Sequence, residues 1–236
     1  MSPLVLLHGA SGNAATWADT WPDWTAAGLE PVALDLPGRG DTAGSALDSV
    51  AELADWLRGE CGRRGWTRPV VVGHSLGGAV AQHLALSAGE ALGGVVLVST
   101  SARLRVSPMI LAAVAGSTAE APLRLDFAFG DDTPAGVVDR YHAAAAATPP
   151  AAAVADWRAC DGFDLRDQLA APGCPVLVVH GDADRLTPPK HQAGLAAALA
   201  ADRVTLVGVG HMLPWEAPGA LARAVAGWWA GASASG

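Results

Sequence analysis

The sequence predicts an α/β fold: a mainly parallel, twisted sheet of about six strands, flanked by helices on both faces, with a small helical segment inserted after the fourth visible strand. Three observations predict it. Short runs rich in valine and leucine, bounded by Gly, Pro or Asp, recur along the 236 residues. Between most of them lie stretches with helical spacing, and alternation of this kind builds a parallel sheet covered on both faces. The alternation fails over residues 101–168, which hold no strand candidate, several prolines and the alanine-rich "YHAAAAATPPAAAVADW".

The strand candidates are "LVLL" (4–7), "PVALD" (31–35), "PVVVG" (69–73), "VVLVST" (95–100), "PVLVVH" (175–180) and "RVTLV" (203–207). Each reads as a strand buried on both faces. Helices are expected over Ser49–Cys61, with Val50, Leu53, Ala54 and Leu57 on its apolar face, and over Leu76–Gly89, Lys190–Ala201 and Pro218–Ala230. In the inserted segment the alanine runs favour helix, and Thr148-Pro149-Pro150 should break it in two. Leu123, Phe127, Phe129, Tyr141, Trp157 and Phe163 supply its apolar anchors, which argues against a linker. The length suits one core over 1–100 and 169–236, with 101–168 as a helical cap.

Composition narrows the function. Hydrophobic residues make up 51% and charged ones 16%, which excludes a disordered chain. No apolar run approaches the roughly 18 residues that a membrane span needs. The start "MSPLVLLHGASGN" lacks the charged beginning and long apolar centre of a secretory signal, so a cytoplasmic protein is expected. Cys61, Cys160 and Cys174 have no C-x-x-C spacing and read as buried free thiols, with neither a disulfide framework nor a metal site implied. A net charge of -8 without a Lys/Arg cluster makes nucleic acid and anionic membranes unlikely partners. A small-molecule substrate, no cofactor, and a monomer or homodimer are the expectations.

Gly73-His74-Ser75-Leu76-Gly77 fits G-x-S-x-G between a valine strand and a helical pattern. A strand-to-helix turn of this kind holds its serine in a strained conformation with Oγ exposed, while the glycines let neighbouring backbones pass. A serine hydroxyl needs a base, and the base needs an orienting acid. "GDADRLTPP" puts Asp182 and Asp184 just past a strand's C-terminal end, where ligand-facing residues of open parallel sheets collect, and one of them is the expected acid. His211 in "GVGHMLPWEAP" follows the last strand and is the expected base.

With "LLHGASGN", "DLPGRGDT", "GHSLGG", "HGDADRLTPP" and "GHMLPWEAP" in this order, the chain resembles the capped, single-domain α/β-hydrolases. That group includes bacterial carboxylesterases, cofactor-free haloperoxidases and C–C bond hydrolases. The resemblance covers residues 4–100 and about 170–230 and barely touches the insertion. It implies a serine esterase with Ser75 as nucleophile, His211 as base and, from the H-G-x-x-D pattern, Asp184 as acid. The alternative placement of the acid after the preceding core strand finds no carboxylate before Glu120. It also implies an oxyanion hole made by the backbone N–H groups of Ala10 and Leu76. "DLPGRGDT" is given no catalytic part. The family usually has a β-hairpin before the "LLHG" strand; this chain begins almost on that strand, so six parallel strands are expected rather than eight.

The pocket is expected between Ser75 and the insertion, lined by Ser11, Phe127, Phe129, Trp157 and Met212 and suited to esters of small or apolar acyl groups. Arg103 and Arg105 either grip a carboxylate at its mouth or are solvated surface groups. The same triad is compatible with a C–C bond hydrolase, with a lyase similar to SHCHC synthase acting on an anionic substrate, and with thioesterase or perhydrolase activity. It is also compatible with a triad-bearing ligand receptor. His8 is expected to orient the first loop, and His74, His83, His142, His180 and His191 are not expected to react.

Overall fold

In the computed structural model, which describes residues 3–118 and 121–234, the strand runs pair into one sheet. The strands are β1 (Leu4–Leu7), β2 (Pro31–Leu34), β3 (Val70–His74), β4 (Gly94–Val98), β5 (Val176–Gly181) and β6 (Asp202–Leu206). Their order is β2-β1-β3-β4-β5-β6, and every neighbouring pair is parallel. The chain moves outward from β1 to β2, then returns to place β3 on the other side of β1. The loops after β1 and β3 therefore diverge at a switch point, where open parallel sheets bind ligands.

The helices are α1 (Trp21–Ala26), α2 (Val50–Arg63), α3 (Leu76–Ala88), α4 (Pro108–Ala115), α5 (Ala135–Ala145), α6 (Pro150–Asp161), α7 (Pro189–Ala198), α8 (Leu213–Glu216) and α9 (Pro218–Ala234). Alternate strand residues feed two cores. Val5, Val71, Val95 and Leu97 pack on one face with Leu53 and Leu57 of α2, while Leu6, Val72, Val96 and Val98 pack on the other with Trp17, Trp24 and Val225 of α9. Burying each such side chain stabilises the fold by about 1.5–3 kcal/mol, which is why the central strands read as unbroken apolar runs. The four apolar positions expected for α2 are its buried ones, and Ser49 caps it through the Glu52 N–H.

β6 departs from the expectation of strands buried on both faces. It is one of the two sheet edges, and Asp202, Arg203 and Thr205 face solvent; at the other edge, β2, Val32 and Ala33 are only half-buried. A strand with one neighbour and one covered side does not need a continuous apolar sequence.

The insertion leaves the sheet after β4 and returns at β5. Leu165 N–H donates to Ala102 O at 2.8 Å and Leu104 N–H to Phe163 O at 3.3 Å, so its two ends are tied together. The double proline breaks its helices as expected, with Pro149 as the cap and Pro150 as the first residue of α6. Phe129, Tyr141, Trp157 and Phe163 are buried anchors, whereas Phe127 is 47% exposed and anchors nothing. Of the cysteines, Cys160 is buried, while Cys61 and Cys174 are only half-buried; all three are free. Glu120 lies outside the described residues, as do Met1 and Ser2. Among the described residues no helix is long and apolar enough to cross a membrane.

Candidate active site

Ser75 is the single residue between β3 and α3, and the abrupt change of direction forces it to φ 51°, ψ −110°. Such a conformation costs a non-glycine residue about 1–3 kcal/mol. It is held by the Ser75 N–H, which donates to Val98 O at 2.9 Å, and by close packing around the turn. A Cβ on Gly73 would strike the Gly77 carbonyl, and one on Gly77 would strike the Leu7 carbonyl of β1. These contacts give the glycines of "GHSLGG" their physical reason. Leu76 opens α3, so its N–H has no acceptor within the helix, while Ala10, on the loop after β1, lines the same small recess as Ser75.

Asp184 and His211 come from the loops after β5 and β6 and meet with 3% and 0% of their side chains exposed for His211 and Asp184 respectively. His211 Nδ1 lies 3.0 Å from Asp184 Oδ2 and 3.1 Å from Oδ1. Asp184 also accepts from the Leu186 and Thr187 N–H groups at 2.9 and 2.8 Å, and from the Thr187 hydroxyl at 2.7 Å. Gln192 Nε2 adds a donor at 3.2 Å. Burial opposes a charge here, but His211 and Thr187 outweigh it and hold the carboxyl below its ordinary range. A carboxylate on Nδ1 fixes the imidazole tautomer that leaves Nε2 free to accept a proton. Asp182, by contrast, faces solvent and accepts the Gly208 N–H at 2.7 Å, as a loop residue does.

His211 is fixed from behind as well. Its N–H donates to Ala128 O at 2.7 Å, and His74 Nε2 donates to its carbonyl at 2.9 Å. Glu216 collects the N–H groups of Gly130, Gly210 and Met212 at 2.8–2.9 Å, binding the histidine loop to the insertion. Sequence reasoning missed Glu216, Thr187 and Gln192. The first stands in the quoted "GHMLPWEAP" and the second in "HGDADRLTPP", but nothing in their spacing reveals which backbone donors they meet.

His8 behaves as expected, orienting the first loop: Nδ1 donates to Gly9 O at 2.8 Å and Nε2 accepts the Leu36 N–H at 3.1 Å. The loop's other support is new. Arg39 of "DLPGRGDT" forms a two-pronged ion pair with Asp156 of α6 at 2.6 and 2.7 Å, both side chains 1% exposed. Asp156 Oδ2 also accepts the Ser11 N–H at 2.9 Å, and Trp157 Nε1 donates to Ser11 Oγ at 2.9 Å. The loop carrying Ala10 is thus bound to the insertion.

Ser75 and His211 open onto a cavity of about 590 Å³ between the sheet end and the insertion, and Trp157 lines it. Ala10 and Met212 line a smaller recess beside it, which Ser75 and His211 share. Ser11 stands behind Trp157 rather than on the wall. Phe127 and Phe129 line neither space: Phe127 faces solvent, and Phe129 packs edge-on against Tyr141 at 5.5 Å. Aromatic residues in the insertion had suggested a pocket wall, but the chain turns these two away from it. Among the described residues no hydrogen bond joins Ser75 Oγ to His211, a contact that tightens in many enzymes only with substrate bound. No cluster of His, Cys, Asp and Glu among them is arranged to hold a metal ion.

A family model described as "Alpha/beta hydrolase family" matches residues 4–224. The chain is similar to a pimeloyl-[acyl-carrier protein] methyl ester esterase of Vibrio atlanticus, with 30% identity over 83% of this chain and 81% of the relative. It is also similar, at 36% over 33% of this chain and 30% of the relative, to a 2-succinyl-6-hydroxy-2,4-cyclohexadiene-1-carboxylate synthase of Citrobacter koseri. Among solved structures, a thermophilic esterase from Thermogutta terrifontis with malate bound superposes with a TM-score of 0.83 at 24% identity, covering 98% of this chain and 90% of that one. With the sheet order, the turn at Ser75 and a family match spanning nearly the whole sequence, the chain belongs to the alpha/beta hydrolase family.

Proposed function

We propose that this protein is a serine hydrolase that cleaves carboxylic esters of small or apolar acyl groups through an acyl-enzyme. The observation that carries the reading is the buried Asp184–His211 contact at 3.0 Å, with His211 and Ser75 both on the wall of one cavity. The name of the Vibrio relative, an ester hydrolase, points the same way.

In this reading His211 Nε2 takes the Ser75 proton as Oγ attacks the ester carbonyl. The Ala10 and Leu76 N–H groups meet the charge that develops on the carbonyl oxygen, where fixed donors lower the barrier most. His211 then protonates the departing alcohol and activates a water, which releases the acid and restores Ser75. Asp184 keeps the imidazole oriented and stabilises its cation. The insertion serves as a cap that shields these steps from bulk water, and Trp157 and Met212 contact the acyl or alcohol group.

Kinetics on a short p-nitrophenyl ester test this. Ser75→Ala, His211→Ala and Asp184→Asn should each lower kcat by about 10³-fold or more, while Asp182→Asn should stay near wild type. Near-wild-type turnover by the serine variant would overturn the mechanism, and loss in Asp182→Asn instead would reassign the acid.

A further inference from the structure

The chain carries 23 acidic residues against 15 lysines and arginines, yet the cavity wall reverses that balance. Arg103, Arg105, Arg166 and Lys190 all line it, and among the described residues no aspartate or glutamate does. Lys190 is the only lysine in the sequence.

Ordinary surface pairing explains two of these cations. Arg166 grips Asp164 at 2.7 and 2.9 Å, and Arg103 lies 3.5 Å from the same carboxylate. It does not explain the other two: the side chains of Arg105 and Lys190 make no ion pair or hydrogen bond within the described residues. The segment entering the insertion also sorts its residues by side. Ala102, Leu104 and Val106 are buried, while Arg103 and Arg105 between them are exposed. The cavity is therefore apolar inside and cationic at its mouth. Two cations without a carboxylate partner, over low-dielectric walls, attract an entering ligand of the opposite sign.

We infer that the preferred substrate is an ester whose non-reacting end bears an anionic group, carboxylate or phosphate, held at the mouth by Arg105 and Lys190 while an apolar spacer fills the cavity. This rests on the ester-hydrolase reading above. The reaction is unchanged: water adds across the acyl–oxygen bond, the alcohol leaves with a proton, and the anionic end takes no part in bond making.

The matched pair monomethyl suberate and methyl octanoate reads the anionic end alone. Wild type should favour the half-ester by about tenfold in kcat/KM, chiefly through KM, and lose that preference in about 0.5 M salt. In the Arg105→Glu/Lys190→Glu variant the ratio of the two kcat/KM values should fall to about one or below. Equal rates on both esters in wild type, or a ratio untouched by the double substitution, would overturn the inference and leave the hydrolase reading standing. Binding of monomethyl suberate to Ser75→Ala, followed by calorimetry, separates the opposite case. Binding that needs Arg105 and Lys190, with neither ester turned over by wild type, keeps the anion site and removes the hydrolase. Competition by inorganic phosphate against the half-ester assigns the site to phosphate-bearing esters, and competition by suberate without phosphate assigns it to carboxylates.

Discussion

His8 and His74 flank the candidate site, both fully buried, and burial lowers each from 6.5 to about 3. His8 also feels Arg39, and His74 feels His211. The folded chain therefore keeps both rings neutral, while the unfolded chain protonates them below about 6.5. Their contribution to stability is complete above that pH and lost as the pH falls toward 3, at up to about 1.4 kcal/mol per pH unit for each ring. Urea unfolding between pH 7.5 and 5 should show this decline, and His8→Gln should show a shallower one. A flat profile, or equal slopes in both proteins, would contradict the assignment. At this scale the sequence was legible where a residue type meets a defined place in the fold. Ser75 sits at a strand-to-helix seam, and Asp184 and His211 follow consecutive strands. Their supports Thr187, Gln192 and Glu216 were not legible, because each meets donors or acceptors whose proximity only the folded loops create.

The elements that build the site are joined by one buried pair. Arg39 leaves the loop after β2, Asp156 sits on α6, and the aspartate's second bond reaches Ser11 beside Ala10. "DLPGRGDT" read as a shaping loop because its glycines and proline are visible in sequence, while a partner 117 residues away is not. Removing one member strands the other as a buried charge, a defect worth about 3–5 kcal/mol. Arg39→Met and Asp156→Leu should each destabilise by about that amount, and the double variant by clearly less than the sum. Singles costing under about 1 kcal/mol and adding linearly would show that the pair is not coupled. The strands and α2 were legible for the opposite reason: their apolar positions repeat locally. β6 was over-read, since a β-branched run does not announce that it will be an edge.

Across the whole molecule, alternating strands and helices dictate a parallel sheet, and a parallel sheet places its loops of interest at one end. The insertion then closes that end and leaves a cavity of about 590 Å³ over Ser75. Its existence and its break at the double proline could be read from composition, and so could Trp157 on the cavity wall, but the rest of that wall could not. Phe127 and Phe129 sit at a three-residue turn between α4 and α5, where no helical or strand period marks which way a side chain faces, so they were assigned to a pocket they do not line. The central proposal, which the turn at Ser75, the Asp184–His211 contact and the shared cavity support, is that Ser75 is the nucleophile. Mass spectrometry after reaction with a fluorophosphonate reads this most directly. The account predicts a single adduct on the peptide containing Ser75, formed rapidly in wild type and strongly slowed in His211→Ala. An adduct elsewhere, or labelling of Ser75 indifferent to His211, would contradict it.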